Sequence, residues 1–232
     1  MQIRIVQDAP DGVRTEALVV PVFAGGSLEG TAKDVDAKVG GAIAHALSSG
    51  EIKGKFGEHV LVYAGEQPFR RVLAIGLGES SSFEPSLLAR YAAIAVRHLG
   101  RRNVKDFALA LPSQIRGCET AGASFIAEGA IAGSFETTVY QEAPENKIAI
   151  AGIAVLAHGF DTEALRRGIA RGTVLGEAIN LARRLAITPA NDMTPEILAN
   201  EAAAVAKNAS LDIDVLDEAR ARKEGMGSFL SV

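Results

Sequence analysis

The sequence holds one cysteine, Cys118, so an intrachain disulfide is excluded. That suits a reducing cytosol. Cys118 itself reads as a small buried hydrophobe rather than a nucleophile. Histidine is scarce too. His45, His59, His98 and His158 are never closer than fourteen residues, and no His-Glu-x-x-His or His-x-His pair occurs. Spacing therefore offers no metal site, although a fold can still assemble one. There is no Gly-x-Ser-x-Gly elbow and no Walker loop, which removes the simplest hydrolase and NTPase readings. No apolar run approaches the roughly 20 residues that span a bilayer. The opening Met1–Gly12 lacks the basic start and apolar run of a signal peptide. A cytoplasmic, non-membrane protein is expected. A basic excess is also missing: net charge is −4. Local groups such as Arg97, Arg101, Arg102 and Lys105 read as solvated faces, so nucleic-acid binding is not expected.

What is present is an ordinary globular composition, 48% hydrophobic and 22% charged over 232 residues. That length carries one large domain or two modest ones. Ile3 and Ile5 alternate with polar residues, as in a half-buried strand. Ala17 to Phe23 is continuously apolar, as in a fully buried strand. Val35, Val39, Ile43 and Leu47 recur every four residues, the face of one amphipathic helix. Val60–Ala64 and Val72–Leu77 flank the turn signal Gly65-Glu66-Gln67-Pro68, which predicts a hairpin or neighbouring strands. Glu84–Leu99 reads as a helix with Leu87, Leu88, Tyr91, Ala95 and His98 on one side. His98 is expected to be partly buried and hydrogen-bonded. Phe107–Leu111 is a short strand, Ala121–Ala132 a small-residue helix, and Val139–Gln141 and Ile148–Leu156 further strands. Strands interleaved with helices predict an α/β fold with a mixed sheet covered on both faces.

A boundary falls near His158-Gly159-Phe160, dividing residues 1–158 from 159–232. Asp161 or Thr162 caps a long helix that runs toward Ala186. Gly168, Gly172 and Gly176 lie four apart within it, a bare stripe continued by Asn180 and Arg184. Glycine in a helix interior costs about 1 kcal/mol, so the stripe predicts either a groove that admits another backbone closely, the favoured reading, or a helix broken into two pieces. Thr194-Pro195 opens the next helix, expected to bury Leu198, Ala202, Val205 and Ala206. Leu211, Ile213 and Val215 alternate with aspartates, as in a half-exposed strand. Asp217–Glu224 is a short helix closed by Gly225. Phe229-Leu230-Ser231-Val232 reads as part of a buried strand, and the chain as cut within it.

Two glycine-bearing loops are candidate ligand sites, since ligands settle at strand C-terminal ends in α/β sheets. They are Gly25–Gly30 and Gly76–Ser80. The amides of the second could hold a phosphate, but a tight strand-to-helix turn explains it as well. Asp34 and Asp36 read as the solvated first turn of a helix, not a catalytic pair.

Three stretches carry a family likeness: Val35–Gly57 with the following Arg71–Gly78; Ala178–Ala202, AINLARRLAITPANDMTPEILANEA; and Val215–Val232, with its Gly225-Met226-Gly227. Together they resemble the N-terminal part of the leucyl (cytosol) aminopeptidases. The resemblance implies a macro-domain-like N-terminal domain over residues 1–158. It implies the beginning of the peptidase catalytic domain over 159–232. It further implies removal of N-terminal amino acids from peptides, two divalent metals, manganese or zinc, and a homo-hexamer. In two-metal hydrolysis the ions acidify a bridging water and stabilise the tetrahedral intermediate. The family's metal-binding stretches, Gly-Lys-Gly…Phe-Asp-x-Gly-Gly and Asn-Thr-Asp-Ala-Glu-Gly-Arg, do not occur here. No residue of this sequence therefore receives a catalytic, cofactor-binding or metal role, and the chain alone is expected to be inactive. The rival reading is a stand-alone macro-like module that binds ADP-ribose or a related nucleotide through the two glycine-bearing loops.

Overall fold

The structure is a computed structural model. It describes residues 1–9, 12–25, 27–65, 68–136 and 149–231. Six strands among these form one sheet: β1 (Gln2–Val6), β2 (Ala17–Val22), β3 (His59–Tyr63), β4 (Arg71–Gly76), β5 (Asp106–Ala110) and β6 (Gly152–Leu156). Their order is β1-β6-β5-β2-β4-β3. All neighbours pair in parallel except β3, which runs antiparallel to β4 with Val62 opposite Val72. The mixed α/β sheet is the fold class the alternation of elements predicts. The expected strand Val139–Gln141 and the loop residues Glu66 and Gln67 lie outside the described residues.

Side-chain alternation along the strands feeds two cores, one on each face. Val19, Leu73, Ile75, Phe107, Leu109 and Val155 point to one cluster. Leu18, Val20, Val72, Ala74, Ala108 and Leu156 point to the other. That is why β2 is apolar at every position: both of its faces are covered. The first face packs on α3 (Leu87–Gly100), α4 (Glu119–Gly133) and the start of α5 (Thr162–Ile187). Tyr91 of α3 is fully buried there, and its hydroxyl donates to the Ala110 carbonyl at 3.1 Å. Burial of a side chain of this size contributes about 1.5–3 kcal/mol, and the hydroxyl needs that one acceptor.

The opposite face packs on α1 (Gly30–Lys38) and α2 (Ala42–Ser48). The single helix expected from Val35 to Leu47 is thus two helices. Gly40 and Gly41 take φ of +67° and +78° and break it. The apolar spacing survives the break because Val35, Ile43 and Leu47 all remain buried. Asp36 is also buried, 8% exposed, not solvated as the sequence suggested. Its Oδ1 accepts the amides of Ile43 at 2.8 Å and Ala44 at 3.2 Å. It caps the start of α2 across the turn, a long-range version of an N-cap.

The glycine stripe forms the predicted groove. A Cβ at Gly168 would meet the Thr120 carbonyl, and one at Gly172 the Ser124 carbonyl. One at Gly176 would stand 2.8 Å from the Ile131 Cβ. So α5 lies backbone-to-backbone on α4. Asn180 extends the contact, its Nδ2 donating to the Ile131 carbonyl at 2.8 Å. Asp161 caps the helix by accepting from Glu163 and Ala164.

By contact density the chain divides into two compact units, Met1–Leu181 and Ala182–Val232. The second holds α6 (Pro195–Ala209), α7 (Glu218–Lys223) and a 3-10 turn at Phe229–Ser231. Thr194 caps α6 as expected, accepting from the Ile197 amide. Asp217 caps α7 through the Arg220 amide. Arg184 ends the glycine stripe differently from the expectation: it forms a bidentate ion pair with Glu201 at 2.8 and 2.9 Å.

Three expectations for this unit are corrected. Of the face assigned to α6, only Ala206 is buried; Leu198 and Val205 are 49% and 43% exposed. Leu211, Ile213 and Val215 make no strand, because no described strand lies beside them. Phe229 is exposed in a helical turn closed by the Leu230 amide on the Met226 carbonyl, not buried in a strand. Val232 lies outside the described residues.

Candidate functional site

Parallel strands β2, β5 and β6 end on the same edge of the sheet, and the chain diverges there to leave a cleft. Its floor is Pro21–Phe23, Leu111 and Pro112. Its walls are the loop residues Ser27–Gly30, the first turns of α1, and Ser113, Gln114, Arg116, His158 and Phe160. The cavity is about 210 Å³. An adjoining recess of about 290 Å³ shares Thr31, Asp34, His158 and Phe160 and adds Lys38. This is the position at which open α/β sheets take ligands.

The cleft's side chains are fixed by protein contacts. Arg116 donates Nη1 to the Gly159 carbonyl at 2.6 Å, with its guanidinium 4.9 Å over the Phe160 ring. Gln114 Nε2 donates to Ser80 Oγ at 2.8 Å. Glu29 and Asp34 stand on the same walls as Arg116, so the lining presents no single sign of charge. Ser113 Oγ meets Gln114 Oε1 at 3.3 Å, and an amide oxygen is not a base that activates a hydroxyl.

Of the two glycine-bearing loops, Gly25–Gly30 contributes to this cleft; Gly26 lies outside the described residues. In the Gly76–Ser80 loop the leading amides are engaged within the protein. The Leu77 amide donates to the Val22 carbonyl at 2.8 Å and the Gly78 amide to the Gly54 carbonyl at 2.9 Å. Those donors are spent on a tight strand-to-helix turn. Asp34 and Asp36 also part company: the first faces the cleft, and the second is buried as a cap.

Sequence spacing missed one pairing of titratable groups. His59 on β3 and His98 on α3 meet edge to face, ring centroids 4.7 Å apart. His98 is half-buried as expected, but its Nε2 is buried without a hydrogen-bond partner among the described residues. Burial first, then Arg102, His59 and Arg101, lower its pKa to about 4. Cys118 is half-exposed rather than buried. Burial and then Glu119 raise its pKa, which disfavours the thiolate. Among the described residues no group of three or more His, Cys, Asp or Glu is placed to hold a metal ion. The described side chains thus do not fit the metal pair that the resemblance implies.

The comparisons with known proteins bear on the whole chain. The sequence model described as "Cytosol aminopeptidase family, N-terminal domain" matches residues 19–144, more than half of the chain. The chain belongs to the cytosol aminopeptidase family. The family's catalytic-domain model matches residues 180–232. A probable cytosol aminopeptidase of Solibacter usitatus is 36% identical over all of this chain and 45% of its own length. One of Roseiflexus castenholzii is 32% identical over all of this chain and 46% of its own length. The chain therefore spans about half the length of these relatives. A mutant of tomato leucine aminopeptidase shares the fold, with a TM-score of 0.87 at 23% identity over all of this chain and 47% of its own. The bottromycin maturation enzyme BotP, in complex with Mn, overlays with a TM-score of 0.67 at 24% identity, covering 90% of this chain and 40% of its own. None of these comparisons supports a stand-alone nucleotide-binding module. Among the described residues no helix is long and apolar enough to cross a membrane.

Proposed function

We propose that this chain supplies the N-terminal domain and the opening of the catalytic domain of a metal-dependent cytosol aminopeptidase, which removes N-terminal amino acids from peptides. Residues 1–158 are read as the macro-like N-terminal domain and 159–232 as the start of the catalytic domain. The carrying observation is that both family matches occur, in order, along one chain. Two divalent ions, manganese or zinc, are proposed for the whole enzyme, and a fold neighbour holding Mn supports this. Their ligands are assigned to sequence beyond these 232 residues, since the metal-binding stretches of the family do not occur here. A homo-hexamer in the cytoplasm completes the proposal, and the family's name supports the compartment.

The test joins this chain to the portion of the Solibacter usitatus relative that lies outside the match. With added manganese or zinc the joined protein is expected to release N-terminal leucine from a peptide. A joined protein that folds, binds the metals and releases nothing would contradict the reading.

A further inference from the structure

We propose that the cleft at the edge of the sheet binds a free α-amino acid with an apolar side chain, its carboxylate on Arg116 and its ammonium on Asp34. The inference goes beyond the peptidase reading and stands apart from it, because it concerns binding within Met1–Leu181 and needs no turnover.

Opposite charges line this cleft without meeting. Arg116 is held by its Nη1 bond to the Gly159 carbonyl and by the Phe160 ring, 4.9 Å from the guanidinium carbon. Gly159 has a φ of +78°, and a Cβ there would stand 3.2 Å from Arg116 Nη2, so a glycine lets the guanidinium lie this close. The guanidinium's other N–H groups have no acceptor among the described residues. Glu29 and Asp34 are exposed on the α1 side of the same cleft. Neither carboxylate has a hydrogen-bond or ion-pair partner among the described residues, Arg116 included. A ligand carrying both charges engages the two ends at once. The fixed guanidinium loses little freedom on binding, which favours a charge-assisted contact to a carboxylate.

The lining selects a zwitterion over a phosphate. In the cleft Glu29 and Asp34 stand against the single guanidinium of Arg116, a balance that repels a polyanion. Val22, Phe23, Leu111 and Phe160 add an apolar surface for a side chain. The cavity of about 210 Å³ is smaller than the roughly 300–1,000 Å³ that takes a drug-sized ligand. It suits a molecule of amino-acid size. Asp34 is assigned the ammonium because it lines both this cavity and the adjoining recess.

The experiment is calorimetric titration of the 232-residue chain with L-leucine, L-leucinamide, 4-methylpentanoate and ADP-ribose at neutral pH. The expected result is saturable one-to-one binding of leucine. Leucinamide, which lacks the carboxylate, and 4-methylpentanoate, which lacks the amine, should each bind at least ~10-fold more weakly. Arg116→Gln is expected to weaken leucine at least ~10-fold and to leave leucinamide unchanged. Asp34→Asn is expected to weaken leucine and to leave 4-methylpentanoate unchanged. Both side chains are exposed, and circular dichroism should match the parent's. If a variant fails to fold, the ligand series on the parent still decides. No saturable binding of leucine up to ~10 mM would overturn the proposal. So would tighter binding of 4-methylpentanoate or ADP-ribose than of leucine, or an unchanged leucine affinity in both folded variants. Peptidase activity is read separately on the joined protein, so failure here leaves the functional reading standing.

Discussion

Gly172 of α5 lies directly against the carbonyl of Ser124 on α4, with no room between them for a side chain. Two backbones this close exclude water and allow dispersion contacts along the whole stripe from Gly168 to Gly176. The helix propensity lost at three glycines is therefore offset by packing that no larger residue permits.

Gly172→Ala tests that balance. Alanine is the better helix former by about 1 kcal/mol, so a helix free of the contact would be stabilised. Here the added methyl meets Ser124 backbone and the Ala127 Cβ at 2.9 Å. A net loss of about 1–3 kcal/mol is expected from overpacking, measured by urea unfolding. Arg167→Ala, on the exposed side of the same helix, should change stability by less than about 0.5 kcal/mol.

Asp36→Ala removes an acceptor from two buried-end amides of α2. The expected cost is about 1–3 kcal/mol, combining a lost cap with an unsatisfied donor. Asp36→Asn retains an oxygen acceptor and should cost less. Thermal unfolding of both variants against the parent measures the difference.

His98 predicts the acid response. Its folded pKa is lowered to about 4 from the ordinary 6.5, so the unfolded chain binds its proton first as pH falls. The stabilisation is fully present above about pH 6.5. It is lost progressively as pH drops from there toward 4. Each tenfold weakening of proton affinity corresponds to about 1.4 kcal/mol, and for a half-exposed ring screening reduces the total to on the order of 1–2 kcal/mol. Urea unfolding at pH 7.5 and 4.5 should show a smaller acid loss in His98→Phe than in the parent. An equal loss in both would assign the acid sensitivity elsewhere.

Hydrogen exchange should grade the chain. Amides of β2, β4 and β5 lie between two cores, and those of α5 up to Asn180 belong to the first compact unit with the sheet. Both groups should exchange slowest. The amides of Glu196–Lys223 belong to a unit in which, among the described residues, Ala206 and Ala221 are the buried apolar ones, and should exchange faster. The sequence boundary near residue 159 would place the faster-exchanging part earlier, whereas the glycine contacts at Gly168, Gly172 and Gly176 are expected to extend protection along α5.

What was legible in the sequence was whatever local pattern decides. The unbroken apolar run of β2 and the Thr194 cap each have one physical solution, and the pairing of β3 with β4 and the glycine stripe each had few. What was not legible depended on distant partners. The every-fourth spacing from Val35 to Leu47 fits one helix or two, and only the positive φ at Gly40 and Gly41 selects the break. His59 and His98 meet because β3 takes the sheet edge above α3, which no spacing encodes. The alternation at Leu211–Val215 states a preference for a sheet without providing one. For the site, the loop residues Ser27–Gly30 line a cleft. In the apparent anion loop Gly76–Ser80, the Gly76, Leu77 and Gly78 amides already bond to the Glu58, Val22 and Gly54 carbonyls.

The most direct test of the central claim is a peptidase assay on the 232-residue chain by itself. It should be purified, supplied with manganese and offered a leucine anilide. A chain that holds the N-terminal domain and only the opening of the catalytic domain should give no cleavage above the metal-alone rate. Sustained leucine release by this chain would contradict the account, because it would place a working catalytic centre within these residues.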